Sequence, residues 1–124
     1  MAQRSMLAKL FDPLVAVIAP RYQAAVGSSL RKYGLRYEDL MDHEHDLNVN
    51  EALRRLPQDV VDARNQRIKR ALDLSMKHAE LPKELQAVQT PFESYLQATL
   101  DVVRAERAER EALGAPMPYD RQLP

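Results

Sequence analysis

The sequence predicts an all-α fold: a small helical protein, not a regular bundle, with one short helix, several longer helices and extended arms at both termini. Helix-favouring Ala, Leu, Arg and Glu are abundant in the 124 residues, whereas glycine occurs only 3 times. Apolar residues recur at the 3.6-residue helical spacing in two stretches. Capping and helix-breaking residues separate these stretches from their neighbours.

The length and composition indicate one domain over residues 1–124 that carries no catalytic motif. The longest apolar stretch, 14–20, is far shorter than the roughly 20 residues that a membrane-spanning helix needs. The absence of cysteine excludes disulfides, iron–sulfur ligation and thiol catalysis. No glycine-rich phosphate loop or serine nucleophile motif occurs. We therefore predict no enzymatic activity and no metal or cofactor.

The zero net charge hides alternating charged blocks. Residues 1–36 and 52–83 are basic, whereas residues 37–51 and 84–124 are acidic. This alternation suits internal pairing or several charged partners, and it argues against one continuous nucleic-acid surface.

Residues 1–20 are predicted to form an N-terminal arm. Arg4 and Lys9 lie among apolar residues, as in a short basic amphipathic turn, a character shared by mitochondrial targeting segments. Pro13 and Pro20 should then interrupt the chain, because proline disfavours the interior of a helix.

The first helix is expected over residues 21–33, with Gly34 as the left-handed residue that closes it. The acidic stretch 37–50 is expected to be irregular. A short helix should follow, capped by Asn48, and it should end at Leu56 before a proline.

A long helix is predicted from Gln58 to about Ala79, with Pro57 at its first turn and Pro82 beyond its end. The positions of its apolar face follow the helical repeat: Val61, Ile68, Leu72, Ser75 or Met76, and Ala79.

The segment 90–93, Thr-Pro-Phe-Glu, predicts the start of the last helix, because Thr90 and Glu93 have the spacing of a capping box. The helix should end near Gly114 and Pro116. Residues 115–124, with three prolines, should form an extended tail.

Two charged segments are candidate sites. The run 42–46, Asp-His-Glu-His-Asp, could offer metal ligands, but an extended segment would bring only two histidines to one face, so a solvated acidic loop is the preferred interpretation. The basic residues Arg54, Arg55, Arg64, Arg67, Lys69 and Arg70 could bind RNA, an anionic lipid headgroup or acidic protein, or could pair internally with the block 37–51. Nucleic acid is the weakest of these options, because no aromatic residues interleave with the bases.

The apolar run Leu14 to Ile18 lies between two prolines. It is too short to span a membrane, so it is either core or an anchor onto another protein. Together with the charged long helix and the proline-rich tail, it favours a helical subunit of a larger assembly.

Several blocks of the chain resemble the family of subunit seven, the fourteen-kilodalton subunit, of mitochondrial ubiquinol–cytochrome c reductase, also called respiratory complex III. The similar blocks are Leu30 to Leu40, Glu51 to Pro57, Asp62 to Ala71, Leu81-Pro82 and Thr90 to Leu96. The stretches 62–67 and 73–78 look particularly like plant and algal members, whereas residues 12–29 match only loosely.

The resemblance implies a non-catalytic helical accessory subunit, peripheral on the matrix side of the mitochondrial inner membrane, that supports assembly and stability. It implies contacts with cytochrome b, the core subunits and the neighbouring small subunits, with no haem, metal or quinone of its own. It also implies an uncleaved N-terminus that is important for assembly, here residues 1–11. The main alternative hypothesis is a stand-alone helical adaptor or RNA-binding module, and a metal-dependent enzyme comes last.

Seven candidate interface residues follow from the resemblance: Tyr33, Leu35, Tyr37, Leu40, Arg64, Arg67 and Arg70. The four apolar and aromatic residues are expected in the core or against cytochrome b. The three arginines are expected to contact acidic subunit surface or anionic phospholipid.

Overall fold

The computed structural model describes residues 6–115, with side chains from residue 12 onward. The described chain contains helices and no strands, which confirms the all-α prediction. The helices are α1 (Met6–Tyr33), α2 (Leu47–Arg55), α3 (Gln58–Met76), α4 (Lys83–Ala87) and α5 (Gln97–Ala112), with a 3-10 helix at Tyr37–Leu40. The predicted tail beyond residue 115 and the amphipathic segment before residue 6 lie outside the described residues.

The chain divides into two compact units. Of the described residues, unit 1 comprises 6–37 and 67–93, and unit 2 comprises 38–66 and 94–115. Unit 1 therefore contains α1, α4 and the C-terminal half of α3, and unit 2 contains α2, α5 and the N-terminal part of α3.

The expected extended arm before residue 21 is wrong for residues 6–20. Helix α1 runs through both Pro13 and Pro20 for 28 residues. Each proline removes one backbone hydrogen bond and crowds the preceding turn, but neither ends the helix. The predicted end is confirmed: Gly34 has a φ of 66°, and the Leu35 N–H donates to the Leu30 carbonyl at 3.0 Å.

Helix α2 begins two residues earlier than predicted, because its cap is Asp46 and not Asn48. The Asp46 carboxylate accepts from the backbone N–H groups of Asn48 at 2.8 Å and Val49 at 3.4 Å. Its end at Arg55, with Leu56 as the C-cap, agrees with the prediction.

Helix α3 ends three residues before the predicted Ala79. His78 takes the left-handed conformation with a φ of 52°, which is unusual for a residue other than glycine. The Ala79 N–H donates to the Leu74 carbonyl at 3.0 Å, and the His78 N–H to the Ser75 carbonyl at 3.1 Å. This pair of bonds is the Schellman motif. The sequence did not indicate the motif, because its left-handed residue is usually glycine and here is His78. The short helix α4 was also not predicted.

Helix α5 begins at Gln97 and not at the Thr90–Glu93 segment. The Thr90 hydroxyl donates to the Glu93 carboxylate at 2.7 Å, and Arg36 donates to the same oxygen at 2.9 Å. These bonds form a turn and leave the Glu93 carboxylate engaged away from the helix. The predicted end near Gly114 is confirmed, with Gly114 at a φ of 80°.

The core of unit 2 lies between α2 and α5. Its buried side chains are Val49, Ala52, Leu96, Leu100 and Val103, and Leu96 and Leu100 are fully buried. In unit 1 the buried apolar side chains among the described residues are Leu30, Ala71, Leu81 and Pro91. Both cores are small, because a short chain has little interior.

Candidate interface surfaces

An exposed apolar surface lies on the N-terminal half of α1. Leu14, Val15, Val17 and Ile18 are each more than half exposed, and Tyr22 is 70% exposed. At 100° per residue these five side chains fall within an arc of roughly 160° on one side of the helix, together with Arg21. We call these five apolar residues the α1 apolar surface. The sequence left open whether the run 14–18 is core or anchor, and its exposure excludes a place in the core of unit 1.

The predicted aromatic and aliphatic interface residues occupy different environments. Tyr33 and Leu35 are half-buried in unit 1, whereas Leu40, in unit 2, is 59% exposed. Tyr37, in unit 1, is 52% exposed, and its N–H donates to the Pro91 carbonyl at 2.7 Å. Its ring lies 6.3 Å from the ring of Phe92, centroid to centroid. Tyr37 and Leu40 are thus the two members of this set with most of their surface available.

The three predicted arginines do not form one basic surface. Arg64 is buried in unit 2, where its Nη2 donates to the Met41 carbonyl at 2.9 Å. Arg70 belongs to unit 1, and its Nη2 donates to the Gly34 carbonyl at 3.0 Å. Arg67, also in unit 1, is half-buried. Arg64 therefore exposes little of its side chain, and its contact with acidic subunit surface or phospholipid stays a prediction.

The acidic pair that precedes the segment 42–46 is buried. Glu38 and Asp39 are buried at 7% and 6% exposure. The Glu38 carboxylate accepts from the Ser94 hydroxyl at 2.6 Å and from the N–H groups of Tyr95 at 2.8 Å and Leu96 at 2.6 Å. Glu38 therefore caps the start of α5 from a distant part of the sequence.

The hydrogen bonds also set the ionisation of Glu38. Burial alone would raise the pKa of its carboxyl, but the bonds from Ser94 and from the backbone of Tyr95, Leu96 and Gln97 outweigh burial and lower the pKa. A carboxylate that accepts several N–H donors remains ionised at neutral pH and interacts favourably with the N-terminal end of the helix dipole.

The candidate metal segment remains exposed. Asp42 accepts from the Glu44 N–H at 2.8 Å and pairs with the His45 ring at 2.5 Å, and these contacts lower the pKa of Asp42. Among the described residues no group of three or more metal-binding side chains converges. The segment thus forms a local turn around Asp42.

A charged groove, which we call the α2–α5 groove, lies beside the packed helices α2 and α5 in unit 2. Arg55 on α2 binds Glu106 on α5 through two parallel bonds, of 3.0 and 2.8 Å, and also donates to Glu51 at 3.0 Å. These bonds raise the pKa of Arg55 and lower that of Glu106. Arg55 is therefore paired inside unit 2, with Glu51 of the acidic block 37–51, as one of the expectations had it, and with Glu106 from outside that block.

Sequence reasoning missed Glu38, the Asp46 cap and the α2–α5 groove. Glu38 had no local signal, because its hydrogen-bond donors lie more than fifty residues later in the chain and its neighbours Tyr37 and Leu40 are themselves exposed. The groove had no signal, since it depends on which faces of two helices meet.

Within residues 6–115, no helix has the length and apolarity needed to cross a membrane.

Comparison with known proteins gives a consistent family. The family of the 14 kDa subunit of the ubiquinol–cytochrome c reductase complex matches residues 9–111. Cytochrome b-c1 complex subunit 7-2, mitochondrial, of Arabidopsis thaliana is 58% identical over 120 residues, covering 97% of this chain and 98% of the relative. Subunit 7 of Solanum tuberosum is 56% identical over 93% of this chain and 94% of the relative. Subunit 7 of Homo sapiens is 43% identical over 73% of this chain and 78% of the relative.

The resemblance found from the sequence is confirmed, including its plant-like character, and nothing in these comparisons supports a stand-alone adaptor or an RNA-binding module. The chain therefore belongs to the family of the 14 kDa subunit of ubiquinol–cytochrome c reductase, a non-catalytic accessory subunit of mitochondrial respiratory complex III.

Proposed function

We propose that this chain supports the assembly and stability of complex III by docking on cytochrome b and neighbouring subunits at the matrix side of the inner membrane. The observation that carries this proposal is the α1 apolar surface, whose five side chains are all more than half exposed. The family resemblance supports the choice of partners and of the membrane side.

The exposed apolar surface supports docking for a physical reason. Burying a valine, leucine or isoleucine side chain contributes roughly 1.5–3 kcal/mol relative to leaving it exposed. Soluble monomers rarely expose a large contiguous apolar patch, and such patches usually mark contact sites. Docking α1 on a partner would bury this surface in a way that unit 1 itself does not.

Further contacts are proposed for the remaining predicted interface residues. Tyr37 and Leu40 expose enough side chain to contact cytochrome b or a core subunit. Arg67 and Arg70 have guanidinium groups suited to acidic protein surface or to the phosphate of an anionic phospholipid. Tyr33 and Leu35 would act by supporting these neighbours, since both are half-buried.

The docking role can be tested with Ile18→Asp, which places a charge in the α1 apolar surface. The matched control is Gln23→Asp, which adds the same side chain on roughly the opposite side of α1. The ratio of this subunit to haem b in complex III isolated on native gels should fall for Ile18→Asp and stay normal for Gln23→Asp. An unchanged ratio for Ile18→Asp would show that the surface is not an interface.

A further inference from the structure

The α2–α5 groove has the properties of a binding site. It takes no part in the proposed docking of α1. Its cavity volume is about 490 Å³, and it lies entirely within unit 2. Leu47 and Val103 contribute apolar surface, and Asn50 offers an amide that can both donate and accept hydrogen bonds. Three arginines besides Arg55 also line the groove: Arg54, Arg107 and Arg110.

The arginines of the groove differ in whether they already form ion pairs within the chain. Arg55 is held by Glu51 and Glu106 through three hydrogen bonds. Arg54 and Arg107, by contrast, form no ion pair with any residue of the described segment 12–115. Two guanidinium groups beside a preformed cavity can therefore receive acceptors from another molecule.

We propose that the groove binds an acidic peptide segment of another complex III subunit, with its carboxylates on Arg54 and Arg107. Guanidinium groups match carboxylates through two parallel hydrogen bonds, and arginine clusters are a common way to recognise acidic segments. The apolar surface of Leu47 and Val103 would take a neighbouring aliphatic side chain of that segment. The proposal deepens the docking role by naming a second surface and the chemistry of its partner.

The composition of the lining favours a peptide over an anionic lipid. Three glutamates, at positions 51, 106 and 111, line the groove together with the arginines. A lipid phosphate offers these carboxylates only repulsion, whereas a peptide also presents backbone N–H donors that can bind them. The arginines and glutamates thus form a mixed pattern that a peptide backbone and its acidic side chains can satisfy together.

The first test uses a photo-cross-linker within assembled complex III. Asn50→p-benzoylphenylalanine places the reactive group in the groove, and Ala98→p-benzoylphenylalanine places it on the other side of α5 from Arg107. After irradiation of the purified complex, we expect the Asn50 position to give an adduct with a peptide of another subunit that contains adjacent acidic residues. The Ala98 position should not give that adduct.

Three results would overturn the proposal: no protein adduct from Asn50, an adduct with phospholipid, or an adduct within this chain's own residues.

The second test does not depend on the cross-linker. Arg107→Glu reverses a charge in the groove, and Arg104→Glu makes the same change at an exposed position of α5 that does not line the groove. When isolated complex III is washed with increasing NaCl, the Arg107→Glu subunit should be lost at a lower salt concentration than the Arg104→Glu subunit. Equal loss of the two variants would contradict the groove proposal. If Ile18→Asp still detached the subunit, the α1 docking role would stand while the groove proposal fell.

Discussion

Glu38 determines where α5 begins, although it lies more than fifty residues earlier in the chain. Its carboxylate accepts two backbone N–H groups and the Ser94 hydroxyl. These N–H groups precede the first full turn of the helix and would otherwise be buried without an acceptor. A buried donor left unsatisfied costs about 1–3 kcal/mol, so the capping bonds matter for stability.

Replacing Glu38 by Gln keeps the shape of the side chain but removes its charge. We expect the free energy of unfolding to fall by about 1–2 kcal/mol at neutral pH. The matched control is Glu44→Gln, an exposed acid of the same segment whose side chain makes no such bonds. Denaturant unfolding of the full chain measures both changes, and equal effects of the two substitutions would contradict the capping role.

The Glu38 contribution should also depend on pH. Because folding lowers the pKa of Glu38 below its ordinary value of 4.5, its ionised form stabilises the folded chain fully above that value. The stabilisation is then lost as the pH falls through the folded-state pKa. The difference in unfolding free energy between the wild-type chain and Glu38→Gln should therefore shrink below about pH 4.5. A difference that grows with acid would be inconsistent with this pKa direction.

Gly34 is required for two separate reasons. Its φ of 66° is unfavourable for a residue with a side chain, and an added Cβ would also collide with the Arg70 guanidinium. Gly34→Ala should cost about 1–2 kcal/mol from the backbone alone, with a further loss from the collision. Gly114→Ala is the matched control, because Gly114 shares the left-handed backbone but has no atom within 4 Å of the added Cβ. Thermal unfolding should show the larger loss for Gly34→Ala, and a loss no larger than the control would exclude the collision.

At the level of the helices, local signals predicted ends better than beginnings. Gly34 and Gly114 marked the ends of α1 and α5 correctly, because the left-handed closing residue is a property of the residue itself. The starts of α2 and α5 were misplaced. The α5 cap comes from Glu38, far away in the sequence, and the turn at Thr90 uses the side chains that were expected to cap it.

The prolines of α1 also show where prediction from local sequence fails. A sequence rule that ends helices at proline could not anticipate a helix that continues through Pro13 and Pro20. Likewise, the basic stripe of α3 could not be sorted from sequence alone into a buried Arg64 and more accessible neighbours, because burial depends on tertiary packing. The all-helical class was easier to recognise, since composition indicates it directly, whereas the exposure of the run 14–18 became known only from the structure.

Pro20 should weaken α1 locally. Proline in a helix interior costs about 3 kcal/mol relative to alanine, because a hydrogen bond is missing and the ring crowds the preceding turn. Pro20→Ala should slow hydrogen exchange of the amides in residues 16–24 of the free chain. Exchange as fast as in the wild-type chain would show that the helix is not limited by Pro20.

At the level of the whole molecule, small cores and an exposed apolar helix point to stability gained by assembly. Arg67→Ala is expected to lower the amount of assembled complex III while leaving the turnover of each intact complex normal, because Arg67 is proposed to contact a partner and not a cofactor. Native gels calibrated by haem b, together with ubiquinol oxidation per haem, separate the two effects. Normal complex levels with slower turnover would contradict an architectural role.

Hydrogen–deuterium exchange of α1, in the free chain and in isolated complex III, tests the central claim most directly. If the α1 apolar surface docks on a neighbouring subunit, the amides of residues 12–25, whose side chains are all exposed here, should exchange much more slowly in the complex. Equal exchange in the free chain and in the complex would mean that α1 is not an interface and that the chain is held in place by other surfaces.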